Sequence, residues 1–402
     1  MTGLKRTLSL PMMVLYGLGT TIGAGVYALV GEVAGIAGYY APFSFLIAAL
    51  LAGFTAISFA EICARFPQSA GEAVYVYEGF GSKKLSLLVG LMVTLAGLVS
   101  AAALVNAFTG YMSEFIHLQR HFGIFFVCLI LGGLAAWGIA ESVFIASIIT
   151  VIEVGGLLLI VFVGHESFYH IADTLPTMMP PFEMGSWTVI FSGVVLSFYA
   201  FIGFEDMVNV AEEVRDVKRN LPGAILLTLA ITTLLYVLIM LVAVLSVPPE
   251  ILAQSKAPLA YVYKLHSGDD AFIISIIGMF AIINGALIQT IMASRVLYGL
   301  SARADLPALL SVVNPVTQTP LYATATAIVI VLVLALIGEL AELAKTTSII
   351  MLVVFCLVNL SLYQIKKNDP RPHGIMVFPV WMPLTGFVVS LFFVMMELIN
   401  LL

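Results

Sequence analysis

Residues 16–27 read Tyr-Gly-Leu-Gly-Thr-Thr-Ile-Gly-Ala-Gly-Val-Tyr and lie inside the first long apolar stretch of the chain. Four glycines, Gly17, Gly19, Gly23 and Gly25, interrupt this stretch. Each glycine weakens a helix by roughly 1 kcal/mol relative to alanine and lets the backbone leave helical geometry. Backbone without helical hydrogen bonds survives at membrane depth only where it lines a cavity or is buried in protein. The stretch therefore predicts a broken helix beside a small polar site, although the same glycines would also suit close helix packing.

The composition predicts a protein embedded in a lipid bilayer. Of the 402 residues, 61% are hydrophobic and 10% are charged, with a mean hydropathy of +1.10. A soluble domain carries about a quarter charged residues. The sequence has no basic stripe, which argues against nucleic-acid binding. It has no nucleotide-binding or hydrolase motif, and its cysteines (Cys63, Cys128 and Cys356) lack the spacing of a disulfide or metal site. We therefore expect no enzyme activity, metal or cofactor.

The apolar stretches predict eleven membrane-spanning helices, since a span needs about 20 apolar residues. The predicted spans are roughly 10–35, 41–64, 85–115, 122–140, 143–164, 186–211, 221–247, 270–302, 320–338, 343–364 and 377–400. Only four of the 17 Lys and Arg residues (Arg120, Lys256, Lys264 and Lys345) then fall on the side opposite the N-terminus. The positive-inside rule places the N-terminus in the cytoplasm of a multi-pass cell-membrane protein, with the C-terminus outside.

A second interruption is predicted in the sixth span. Residues 201–204 read Phe-Ile-Gly-Phe and are followed at once by Glu205 and Asp206. Corresponding interruptions in two five-helix halves are typical of transporters built from inverted repeats. We expect one transporter domain over residues 1–402, with repeats at about 10–164 and 186–364 and an extra helix at 377–400.

Three carboxylates lie at membrane depth, where charged groups are rare and usually functional. Glu205 and Asp206 follow the second interruption, where they either act on a ligand or cap a half-helix. Glu153 lies in the middle of the fifth span, with no basic residue within a helical turn. Desolvation opposes a lone charge there. Glu153 would therefore bind a proton or a cation, or it is a hydrogen-bonded structural residue.

Four stretches of the chain resemble a known family. They are GLGTTIGAGVY (17–27), AEICARFPQSAGEAVYVYEGFG (60–81), SFYAFIGFEDMVNVAEEVRDVKRNLP (197–222) and SRVLYGLSARADLP (294–307). The chain resembles the amino acid permeases of the amino acid–polyamine–organocation (APC) superfamily over nearly its whole length. The resemblance implies an all-α integral membrane protein of the LeuT type. That fold has a 5+5 inverted repeat with broken helices 1 and 6, and here one additional C-terminal helix, about eleven in all.

The resemblance also implies where an amino acid would bind. Its carboxylate would meet the backbone of the first helix around residues 23–25, and its ammonium would meet carbonyls near residues 20–22 and the turn of the sixth helix. Small residues of the third helix would leave room for a side chain, and the aromatic residues of the sixth would form either a gate or plain core. The predicted substrate-binding residues are Thr20, Thr21, Ile22, Gly23, Ala24, Gly25, Ala96, Gly97, Ala101, Tyr199, Phe201, Ile202 and Gly203.

The chain departs from the family pattern at Glu153. The sodium-independent members that it resembles often have a lysine in the middle of the fifth helix, whose ammonium stands where a related symporter holds sodium. A carboxylate cannot imitate a cation, although it can bind Na⁺ or H⁺. We therefore expect Glu153 to couple transport and Glu205 to act in gating or in a second proton-linked step. Proton coupling, sodium coupling and exchange all remain open.

The function predicted from the sequence is secondary active transport of amino acids by alternating access. One alternative is a polyamine or organic-cation transporter or exchanger of the same fold, in which Glu153, Glu205 and Asp206 would supply negative charge. A second is a receptor that binds amino acids without moving them. Such a receptor would be expected to carry a signalling tail, and the predicted spans leave essentially none. The sequence does not fix the oligomeric state.

Overall fold

The computed structural model describes residues 8–67, 71–113, 115–116, 118–137, 143–268, 271–302, 306–314 and 319–400. Within this part of the chain, eleven helices have 16 or more residues, and we number them in chain order. They are α1 (Leu10–Ala37), α2 (Ala41–Arg65), α3 (Lys83–Met112), α4 (Arg120–Trp137), α5 (Val143–Val163), α6 (Met184–Tyr199), α7 (Val217–Ser246), α8 (Phe272–Ala302), α9 (Leu321–Ile337), α10 (Leu340–Asn368) and α11 (Trp381–Asn400).

Shorter elements connect these helices. Four are short α-helices, at Gly71–Phe80, Ile171–Met178, Pro249–Gln254 and Pro258–Ser267, and four are 3₁₀ segments, at Gly38–Tyr40, Gly164–His170, Glu205–Glu213 and Ala308–Ser311. The described residues form no sheet, only an isolated parallel bridge between Leu8 and Val214. The described part of the chain is therefore all-helical.

The eleven predicted spans each coincide with one of the long helices. Seven described stretches are long and apolar enough to cross a membrane. The shorter apolar helices are Leu10–Ile22, Arg120–Ala136, Met184–Tyr199 and Leu321–Ile337. Large apolar side chains cover the outer face of α4, where Phe126, Leu129 and Ile130 are each at least half exposed. Such a face suits lipid better than water.

Helix α1 lies at the centre of the bundle. It packs against α5, α6, α7 and α8, and its residues Val26, Tyr27, Val30 and Val33 are completely buried. A helix that is apolar on all sides is stable only where it is surrounded by other elements. The central position of α1 brings its glycine-rich stretch, residues 16–27, against the sixth span.

The predicted break of the first helix is wrong in this structure. The backbone is helical from Leu10 to Ala37 without interruption. The glycines instead allow close contact with other elements: a Cβ atom on Gly25 would lie 2.5 Å from Ala200 Cα, and one on Gly17 would overlap the side chain of Met207. A continuous helix keeps its backbone hydrogen bonds internal, which membrane depth favours. The packing interpretation of these glycines therefore holds for Gly17 and Gly25.

The predicted break of the sixth span is confirmed. Helix α6 ends at Tyr199, a turn follows, and the chain continues as the 3₁₀ segment Glu205–Glu213. Gly203 has φ +129°, a conformation that only glycine adopts readily. Its N–H donates to Glu205 Oε2 at 2.8 Å. The carboxylate therefore caps the turn, and the capping interpretation applies to Glu205.

A buried charge network joins the ends of α2 and α10. Lys366 Nζ donates to both carboxylate oxygens of Glu61 at 2.6 Å, and both side chains are inaccessible to solvent. Arg65 adds a second cation at 2.7 Å from Glu61, and the Phe378 N–H donates to the same carboxylate at 2.9 Å. Breaking one partner of such a buried pair is costly. The network therefore fixes α2, α10 and the segment that leads into α11.

Candidate functional site

The candidate site is a small cavity of about 30 Å³ at the meeting point of α1, α3, the sixth span and α8. It combines hydroxyl, amide and carboxyl groups with an apolar wall. The residues that line it are Thr20, Thr21, Gly25, Ser100, Leu104, Tyr199, Ile202, Asp206, Gly285, Ile288 and Gln289. A few convergent polar groups beside apolar side chains are the usual lining of a small-molecule site.

Five of the predicted substrate-binding residues line this cavity together. They are Thr20, Thr21 and Gly25 on α1, and Tyr199 and Ile202 at the sixth-span break. The two stretches are far apart in the sequence, and the central position of α1 brings them together.

The other predicted substrate-binding residues do not line it. Ile22 and Phe201 are fully buried in the core, and Gly203 faces the backbone of Thr20. On α3, Ala96 and Ala101 are buried away from the cavity. The side chains of Gly23 and Ala24 lie outside the described residues.

On α3, the neighbouring face supplies the cavity wall instead. Ser100 and Leu104, one turn apart, line the cavity. The Ser100 and Tyr199 hydroxyls are 2.8 Å apart and share a hydrogen bond across it. Gly97 lies behind this wall, where an added Cβ would be 3.0 Å from Gln289 Oε1. The helix predicted from the resemblance therefore lines the cavity, and Gly97 is the predicted residue that permits close approach of α8.

The two threonines of α1 differ in their hydrogen bonding. The Thr20 hydroxyl lies 3.0 Å from the Gly17 carbonyl and 2.9 Å from the Gly203 carbonyl, and its single proton serves one of them at a time. The Thr21 hydroxyl is buried and has no hydrogen-bond partner among the described residues. Buried hydroxyls normally have a partner, so the Thr21 hydroxyl on the cavity wall is suited to a ligand.

Tyr236 of α7 joins α1 to the sixth-span break, and no sequence pattern marks it. Its hydroxyl lies 2.8 Å from the Thr21 carbonyl and 3.0 Å from the Ala200 carbonyl, so it donates to either one. Its ring packs on Phe201 with centroids 5.2 Å apart. Carbonyls left free by the end of a helix need such donors when water is excluded.

Asp206 is the cavity's acidic residue. It is 5% exposed, and its Oδ2 accepts a long hydrogen bond from Gln289 Nε2 at 3.4 Å. The ion pairs among the described residues all lie elsewhere in the molecule. The charged groups that act on it are two further carboxyls, Glu205 and Glu72. The sequence did signal Asp206, as a charge at membrane depth.

A vestibule of about 250 Å³ begins one turn beyond the cavity. Ala28 on α1 and Ala107 on α3 line it, three residues after Gly25 and Leu104 respectively. Its charged lining residues are Glu32, Arg120, Lys256 and Glu339. The cavity is therefore separated from a wide polar opening by a single helical turn.

A family model described as "Amino acid permease" matches residues 7–401 of the chain. The chain belongs to the amino acid permease family. This confirms the resemblance seen in the sequence, and it agrees with the prediction that the protein is a membrane transporter rather than an enzyme.

Relatives of this permease carry several substrate names. It is 29% identical over 390 residues to the vacuolar cationic amino acid transporter 2 of Arabidopsis thaliana, covering 91% of this chain and 61% of the relative. It is 27% identical over 391 residues to the branched-chain amino acid permease BcaP of Bacillus subtilis, covering 91% and 82%. It is 27% identical over 395 residues to the methylthioribose transporter of B. subtilis, covering 92% and 83%. The permease thus spans about three fifths of its plant relatives.

Glu153 of this permease lies outside the cavity lining. Its side chain is 1% exposed in the middle of α5, and its backbone carbonyl accepts a 2.8 Å hydrogen bond from the Tyr27 hydroxyl. Tyr27 follows Gly25 by two residues on α1. Glu153 therefore lies behind the α1 wall of the cavity, and its coupling role stays a prediction.

Proposed function

We propose that this permease is a secondary active transporter that moves amino acids across the membrane by alternating access. The observation that carries the proposal is the cavity in which α1 meets the sixth-span break, within a chain of the amino acid permease family. The lining is divided between hydroxyl groups, of Thr20, Thr21 and Ser100, and apolar side chains, of Ile202 and Ile288. This division suits a zwitterion with a partly apolar side chain.

Alternating access is supported by an inverted-repeat pattern in the helix packing. If helix n of the first half corresponds to helix n+5 of the second, the contact of α1 with α5 matches that of α6 with α10, and α1 with α7 matches α6 with α2. The pairs α2–α7, α3–α8 and α4–α9 each map onto themselves, and all three are in contact. Two halves related in this way can rock about a site between them.

The two ends of the molecule differ in the way that alternating access requires. On one side a vestibule approaches the cavity to within a helical turn. On the other side, the Glu61–Lys366 pair and the backbone bond from Arg215 N–H to the Leu8 carbonyl (2.9 Å) hold the ends of the helices together. With the N-terminus in the cytoplasm, as the loop charges predict, the vestibule opens to the outside of the cell membrane and the closed end faces inward.

The driving ion is proposed to act through carboxyls near the cavity. Glu153 lies behind α1, and Glu205 caps the turn on which the sixth-span break depends. Binding of a proton or Na⁺ at Glu153, or protonation of Glu205, would change the charge next to the two elements that form the site. If a Glu153→Gln protein in liposomes keeps the full pH and sodium dependence of uptake, the coupling role of Glu153 is wrong.

Transport of polyamines or other organic cations is the second candidate function. The observation that favours it is Asp206, a carboxylate on the cavity wall with no basic residue paired to it in the described part of the chain. The apolar residues Leu104 and Ile288 would lie along a methylene chain.

Counterflow in proteoliposomes tests these functions together. Vesicles preloaded with an unlabelled amino acid would take up the same labelled amino acid, and protein-free vesicles would not. Exchange of leucine, lysine or arginine supports the amino acid transporter, whereas exchange of putrescine alone supports the cation transporter. Amino acid binding without any counterflow would instead indicate a receptor and would contradict the proposal.

A further inference from the structure

We propose that Asp206 binds a positively charged side-chain group of the substrate, and that this group and a proton compete for the same carboxyl. The inference rests on the proposed function, since it takes the cavity as the substrate site. It adds a substrate class, amino acids with a basic side chain, and a reason for that class to be coupled to protons.

The position of Asp206 is the first observation. It lines the cavity, is 5% exposed, and has Gln289 Nε2 at 3.4 Å as its side-chain hydrogen-bond donor. An amide at this distance compensates little of a full negative charge. A carboxylate out of water requires a countercharge or a proton. Asp206 is therefore either protonated or able to bind a cation that enters the cavity.

The Thr21 hydroxyl is an independent observation that points to a ligand. It is 2% exposed, has no hydrogen-bond partner among the described residues, and belongs to a residue of the same cavity wall. The neighbouring hydroxyls of Ser100 and Tyr199 already share a bond. A polar group entering the cavity would satisfy the Thr21 hydroxyl.

The surroundings of Asp206 concentrate negative charge. The titratable groups beside it are Glu205 from its own segment, Glu72 from the helix Gly71–Phe80, and the phenol of Tyr199 from α6. Glu205 is engaged with the Gly203 N–H. Burial raises the pKa of the Glu72 carboxyl, which lies outside the spans, to about 7. None of these neighbours supplies positive charge, so a proton or a substrate cation must do so.

The exchange balances in charge and atoms. An ammonium or guanidinium group that reaches the protonated Asp206 makes an ion pair, while the carboxyl proton passes to water and leaves toward the open side. The buried region keeps the same net charge before and after. Lysine, ornithine and arginine have such a group at the end of a methylene chain, for which Leu104 and Ile288 provide an apolar wall. Leucine has none and would bind without releasing this proton.

Calorimetric titration of the purified full chain in detergent tests the proposal, with lysine and leucine as probes. In two buffers of different protonation enthalpy, lysine binding is expected to release a proton, and its Kd is expected to weaken about tenfold between pH 7.5 and 5.5. Leucine binding, where present, is expected to be insensitive to pH. Lysine binding with no proton release and no pH dependence would overturn the proposal on the wild-type protein alone.

Two variants locate the effect. Asp206→Asn is expected to weaken lysine binding at pH 7.5 at least tenfold and to abolish proton release. Glu183→Gln removes an exposed carboxylate away from the cavity and is expected to behave as the wild type. If leucine binds and undergoes counterflow but lysine does not bind, the inference is wrong and the proposed function stands. If no amino acid undergoes counterflow, the proposed function itself is wrong.

Discussion

The first helix and the sixth span are both marked by glycine, yet only the span with fewer glycines is broken. Helix α1 carries Gly17, Gly19, Gly23 and Gly25 and is continuous. The sixth span is interrupted around the single Gly203. The number of glycines therefore does not decide where a membrane helix opens.

The difference lies in what surrounds each glycine. Gly203 takes φ +129°, and the nearby Glu205 carboxylate satisfies its freed N–H. The glycines of α1 instead face other elements closely, as Gly25 faces Ala200 and Gly19 faces Thr150. A break at membrane depth needs polar groups to replace the lost helical bonds, and the sixth span has them. The contact between the two regions forms the cavity.

Substitution of Gly203 by alanine is expected to have the largest effect. The new Cβ would require a strained backbone and would overlap the Thr20 carbonyl oxygen. Strain and overlap together cost about 3 kcal/mol or more, so Gly203→Ala should lose both counterflow and a cooperative thermal transition in detergent. Gly155→Ala in α5 is the control, since nothing lies near its Cβ position. A Gly203→Ala protein as stable as the control would contradict the claim that the sixth-span break depends on the backbone conformation of Gly203.

The pH dependence of the free energy of unfolding tests whether the buried Glu72 carboxyl titrates. Burial raises the folded-state pKa of Glu72 to about 7, from 4.5 for the ordinary group. The folded protein then binds more protons than the unfolded chain between these values, so this group makes stability fall as the pH rises through that range, by at most about 3 kcal/mol.

Glu72→Gln removes this dependence. The variant should melt at a higher temperature than the wild type at pH 8, and the gain should shrink at pH 5. Thermal unfolding in detergent at several pH values measures it, with the exposed Glu183→Gln as the control. An equal gain at both pH values would show that Glu72 does not titrate in this range.

Gly25→Ala tests the close packing of α1. The added methyl group would lie 2.5 Å from Ala200 Cα, a backbone atom that cannot turn aside. Overpacking of this kind costs about 2 kcal/mol. Gly19→Ala meets only the Thr150 side chain and should cost less. Melting temperatures in the order Gly19→Ala above Gly25→Ala are expected, and the reverse order would contradict the packing account.

The sequence allowed the spans to be predicted but not the state of α1. Hydrophobic length alone fixes where helices cross a bilayer, so the eleven spans coincide with helices. Gly25 serves close packing because it contacts Ala200. Ala200 lies far along the chain, so no local sequence pattern predicts this contact. Ser100 and Tyr236 were missed for the same reason, because a lone hydroxyl in an apolar helix is an ordinary feature. Asp206 was predicted because a charged residue at membrane depth is unusual.

Tyr236→Phe should have the smallest of these effects, about 1 kcal/mol. The substitution removes the donor shared by the Thr21 and Ala200 carbonyls, and the Ala200 carbonyl at the end of α6 then lacks this partner in an apolar setting. Tyr75→Phe is the matched control, since the Tyr75 hydroxyl is buried without a hydrogen-bond partner among the described residues. Its removal should be neutral or stabilising. Equal melting temperatures for the two variants would show that Tyr236 does not hold α1 to the break.

The most direct test of the account is an electron cryomicroscopy structure of the full chain with bound lysine. The ligand is expected between α1 and the sixth-span break, within about 4 Å of Thr21 and Asp206, with the backbone of α1 still helical over residues 20–25. Density for the ligand only in the vestibule beside Glu32 and Arg120, or an unwound α1, would contradict the account.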